Sequence, residues 1–257
     1  MTKRKKYVIT SFLLTSGFLG LLSLDGDNRF LGIGALAIVT LILFFWSLRE
    51  GLGKNATLLV LILPVAFTLG VGLFWFLLPS TIFAMLPILV LYGIGIYALV
   101  ATANIYSVAA IRKIALARAA KGVGFVLTLF SSFLLLDAIL SIKASLPVTV
   151  AVVLLISFPL FLQGLWQASG TGRKITRATI RYSILFSYSL VMVSVAMFFW
   201  PVSVVVGSLF LTMTMYVLLG LGQAKLEGRL FKQTIREYLV VGLTVFLAVL
   251  IVTNWRG

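Results

Sequence analysis

Residues 183–222 read SILFSYSLVMVSVAMFFWPVSVVVGSLFLTMTMYVLLGLG, forty positions without one charge. A helix needs about 20 residues to cross a hydrocarbon core, so this stretch is too long for one crossing. Its punctuation is Trp200-Pro201, and proline removes a backbone donor and clashes with the preceding turn. The spacing therefore predicts two spans, 183–199 and 202–222. Read outward from there, the same pattern predicts spans at 7–24, 30–48, 56–78, 82–103, 122–142, 147–167 and 238–254. Asp137 is the one charged residue inside any of them. The expected fold class is all-α, a polytopic transmembrane helix bundle of about nine spans forming a single membrane domain over 1–257. Eight or ten spans follow if the breaks are placed differently.

Charge between the spans sets the expected threading. With the N-terminus cytoplasmic, the inner segments hold Lys3, Arg4, Lys5 and Lys6, then Arg49 and Lys54, then Arg112, Lys113, Arg118 and Lys121. They continue with Arg173, Lys174, Arg177 and Arg181, and end with Lys225, Arg229, Lys232 and Arg236. That is 18 of the 21 Lys and Arg residues, and the outer side keeps Arg29, Lys143 and Arg256. Cytoplasmic loops of membrane proteins carry such an excess, so an odd span count places the C-terminus outside. Trp46, Trp75, Trp166, Trp200 and Trp255 each fall within about a turn of a span end, where an apolar ring with a polar N–H sits best. The first apolar run is long for a signal core and lacks a small-residue cleavage site, so it reads as a retained span.

Composition narrows the chemistry. The chain is 61% hydrophobic with a mean hydropathy of +1.18, more apolar surface than a water-soluble domain can cover. Its net charge of +15 follows from the basic loops, which would meet the anionic headgroups of membrane lipids, so no nucleic-acid partner is expected. A membrane protein partner is left open. There is no Cys and no His, which removes thiol nucleophiles, Ser–His–Asp triads and the usual zinc and haem ligands. No catalytic set, cofactor or metal is expected. Asp25 and Asp27 sit in a short Asp-Gly turn, which accounts for them without a metal.

An acid inside a span is costly to insert and marks a functional candidate. Asp137 is accordingly the sharpest single residue, with Thr128, Ser131 and Ser132 extending polarity along the same span; its nearness to the outer end at Ile142 is the plainer explanation. Pro64, Gly70 and Gly72 in one span and Pro87, Gly93 and Gly95 in the next are candidate helix breaks, a feature of transporter binding sites, though both residue types are common in membrane helices. Ser183, Ser187 and Ser194 share a face of the seventh span and read first as helix packing.

The run NIYSVAAIRKIALARAA at 104–120, continuing into GFVLT at 124–128, resembles a signature of an uncharacterised bacterial integral-membrane family known as a domain of unknown function. The resemblance implies a bacterial cytoplasmic-membrane protein and carries no activity or functional residue with it. Three classes remain: a carrier or flippase for a small or lipid-linked solute, which leads narrowly; a non-catalytic membrane scaffold or assembly subunit; and, last, a membrane-embedded lipid-processing enzyme.

Overall fold

The structure is a computed structural model that describes residues 3–22, 24, 28–49, 57–78, 82–109, 117–168 and 175–253. Among these residues it is wholly helical: α1 (Lys3–Leu22), α2 (Asn28–Leu48), α3 (Thr57–Trp75), α4 (Ile82–Ala109), α5 (Ala117–Ser141), α6 (Leu146–Ala168), α7 (Arg177–Phe198), α8 (Val204–Leu226) and α9 (Lys232–Val252). One helix lies at each predicted span. The break within 183–222 falls at 199–203, where the first helix ends at Phe198 and Ser203 caps the next by accepting from Val206 N–H. Several helices outrun the apolar windows. α7 starts at Arg177, capped by Thr176, and α9 starts at Lys232. Helical hydrogen bonding satisfies the backbone in water as well as in lipid, so the helix need not end where hydropathy does.

Seven helices, α2 and α4–α9, are long and apolar enough to cross a membrane; α3 contributes a shorter apolar helix, Leu59–Trp75. Their outer faces carry bare hydrocarbon: Phe83 is 92% exposed and Ile251 is 83% exposed. Water would penalise such surfaces at about 25 cal/mol per Å². These are the helices of a multi-pass membrane protein.

The chain divides into two compact units, the first holding α1–α4 and α5 to Leu134, the second α5 from Leu135 with α6–α9. In the first, α1 packs on α2 and α4, and α3 packs on α2 and α4. A buried hydroxyl relay ties three of these helices. Thr40 donates to the carbonyl of Leu36 at 2.8 Å, and its oxygen lies 3.1 Å from Thr68, which lies 3.2 Å from the Tyr92 hydroxyl. Each hydroxyl has one proton, so the relay runs Tyr92 to Thr68 to Thr40 to Leu36. Phe18 and Phe67 stack on the Tyr92 ring at 4.8 and 5.8 Å.

In the second unit α6 packs on α7 and α8, and α8 packs on α7 and α9. Ser183, Ser187 and Ser194 are buried, each donating to a carbonyl of its own helix. They let α7 pack closely.

Candidate functional site

Asp137 lies in the last turns of α5 and is 3% exposed. Its Oδ1 accepts the hydroxyl of Ser208 on α8 at 2.8 Å. That hydroxyl also stands 3.0 Å from the carbonyl of Val205, so its single proton is shared between its own helix and the acid. No ion pair joins Asp137 to a described Lys or Arg. Thr128 and Ser131 donate to the carbonyls of Gly124 and Leu127, one turn back. With 3.6 residues per turn, Thr128, Ser131 and Ser132 all lie more than about 100° around α5 from Asp137. They do not form a polar stripe leading to it. Ser208 is the residue that meets the acid, and nothing in the sequence sets it apart from other span hydroxyls.

Directly beyond this pair, a pocket of about 290 Å³ opens where α5 ends and α8 begins. Leu140 and Gly207 line it; Leu140 is one turn on from Asp137, and Gly207 precedes Ser208. Ser203, Trp200 and Lys143 also line it. Lys143 takes φ 50°, a left-handed position after a helix end that glycine usually fills. The indole of Trp200 donates to Thr253 Oγ1 at 2.8 Å, tying the α7–α8 turn to the end of α9.

The opposite end of α8 carries a second pocket, of about 370 Å³, lined by Gln223, Glu227, Arg229, Phe231, Thr234 and Tyr238 among others. Glu227 and Arg229 form an ion pair. Gln223 donates to the Gly164 carbonyl of α6 at 3.0 Å. Of the basic residues singled out above, Arg118, Arg177, Arg181, Arg229, Lys232 and Arg236 are exposed, whereas Arg112, Lys113, Arg173 and Lys174 lie outside the described residues, as do Asp25 and Asp27.

The proline and glycine candidates sit inside unbroken helices. α3 continues through Pro64 and α4 through Pro87. Gly72 faces Ile33 of α2, with 3.1 Å left for an added Cβ; Gly93 faces Thr15 of α1, and Gly95 faces Phe67 of α3. These three are close-approach points between helices, and Gly70 is buried.

No curated protein and no solved structure matches the chain. A family profile does match, over residues 12–252, nearly the whole length. The chain therefore belongs to the family described as protein of unknown function (DUF5656).

Proposed function

We propose that the chain is a carrier or flippase for a small or lipid-linked solute, crossing a bacterial cytoplasmic membrane nine times with its N-terminus inside and its C-terminus outside. The observation that carries this reading is α8. It has a pocket at each end and the buried Asp137–Ser208 pair beside the first of them. A helix serving only as packing needs neither a pocket at each end nor an acid that must be desolvated on assembly. In transport, the solute would be handled at the two pockets, and Asp137, able to take up and release a proton or cation, would couple its passage. The threading is supported by cations at the starts of α1, α5, α7 and α9.

The scaffold reading is supported by α9, which packs on α8 and buries little besides Val249. The two separate by reconstitution. Vesicles holding the full chain should move fluorescent phospholipid analogues between leaflets faster than protein-free vesicles, and Asp137→Asn should slow this by at least about tenfold, about 1.4 kcal/mol of barrier, with an unchanged unfolding temperature. A wild-type rate equal to that of empty vesicles would move the assignment to a scaffold, whereas an Asp137→Asn rate equal to wild type would make the role of Asp137 structural.

A further inference from the structure

The pocket at the α8–α9 turn is balanced in charge while its surroundings are basic. Glu227 and Arg229 line it together, and Lys225, Lys232 and Arg236 stand exposed nearby in the chain against the single acid Glu237. A surface built only to attract anions gains nothing from an acid, yet Glu227 lines the pocket, its side chain 15% exposed against 69% for Arg229.

The pocket is also rigidly built. Gly228 adopts φ 71°, and Arg229 N–H closes the turn on the Ala224 carbonyl at 2.8 Å, which sets Glu227 and Arg229 side by side. The missing side chain of Gly220 admits the Tyr238 ring; an added Cβ would lie 2.3 Å from that ring and 2.6 Å from its hydroxyl. Gln223 is anchored on α6.

We propose that this pocket binds the headgroup of a zwitterionic phospholipid, its ammonium on Glu227 and its phosphate on Arg229. A carboxylate only accepts, which suits an ammonium with three N–H donors, and the Tyr238 ring offers a face to the same cation. The guanidinium has five N–H donors and gives one to Glu227, so a fork remains for phosphate, with the Thr234 hydroxyl beside it. An ion pair so exposed is worth little alone. A ligand bearing both charges opens it and remakes both halves, whereas a simple anion forfeits it. Leu239 and Leu243 are exposed on α9 just beyond the pocket, an apolar bed for acyl chains.

The chemistry stands whether or not the chain transports; only the leaflet rests on the threading proposed above. The test is native mass spectrometry of the full chain released from equimolar phosphatidylethanolamine and phosphatidylglycerol bilayers. Phosphatidylethanolamine should be retained at one per chain, and Glu227→Gln and Arg229→Gln should each lower its occupancy by about tenfold. Equal retention of phosphatidylglycerol, or full retention in both variants, overturns the proposal. On the wild-type protein, needing no variant to fold, glycerophosphoethanolamine should displace the lipid and glycerol phosphate should not; equal displacement overturns the ammonium half. If neither soluble compound displaces it while the lipid preference holds, the acyl chains are part of the recognised ligand and the headgroup assignment stands on the two variants. The leaflet is read separately with Thr234→Cys, a unique thiol in this cysteine-free chain. Labelling of intact cells by an impermeant maleimide would overturn the cytoplasmic placement and leave the lipid result standing.

Discussion

A Cβ added at Gly95 would lie 2.3 Å from the Cζ of Phe67. That ring cannot retreat easily, because it is buried and stacked within 2° of parallel on Tyr92. Overpacking of this kind costs about 1–3 kcal/mol. Gly95→Ala should therefore lower the unfolding temperature of the detergent-solubilised protein, and adding Phe67→Leu should recover part of the loss. Gly34→Ala is the control, since nothing lies within 4 Å of its added Cβ, and alanine favours the helix by up to about 1 kcal/mol. Equal effects at the two glycines would show that Gly95 is not a contact point. The sequence marks the Gly-x-Gly pairs but not their purpose. Which neighbour a glycine faces depends on the register between helices, and hydropathy carries no register. The same gap hides Ser208, which becomes distinctive only once α8 sets it against Asp137.

Helix positions, in contrast, are written in the chain, because the bilayer demands long apolar runs; among the described residues seven helices meet that demand, α3 is shorter, and α1 is not among them. Trp200-Pro201 divides 183–222 within a few residues of the observed ends at Phe198 and Val204. The ends themselves are less legible, since backbone hydrogen bonds continue past the last apolar residue. Packing quality within an element is not legible at all. Gln163 of α6 shows this: it is buried, and its side-chain carbonyl has no hydrogen-bond partner among the described residues. A buried unsatisfied acceptor costs about 1–3 kcal/mol. Gln163→Met keeps a similar volume and removes it, so it should raise the unfolding temperature by about 2–4 °C. A fall instead would mean that the amide is satisfied in the membrane by a ligand or water, and would bring Gln163 into the polar machinery.

Across the whole molecule, the cations that open helices contradict the local preference of those helices, whereas Lys225 in the last turn of α8 agrees with it. α1, α5, α7 and α9 open with basic residues and none has an acid in its first turn. A helix N-terminus prefers acids there, by about 0.3–1 kcal/mol each. α3, α4, α6 and α8 open without a cation, and α2 carries Arg29 in its first turn. A penalty repeated at four helices, all of them odd-numbered, calls for a constraint stronger than the dipole, and the proposed retention of positive charge on the cytoplasmic side would be such a constraint. On the threading proposed above, the two ends of α5 lie on opposite sides of the bilayer. In the cysteine-free background, Lys143→Cys should react in intact cells with an impermeant maleimide, and Arg118→Cys should react only after the membrane is opened. A reporter active only in the cytoplasm should be active when fused after residue 170 and silent after Gly257. Reversed labelling of the two thiols would invert the threading. Correct labelling with an active reporter after Gly257 would keep the orientation of α5 and remove one crossing from the helices after it; the exposed, singly packed α9 is the first to reassign.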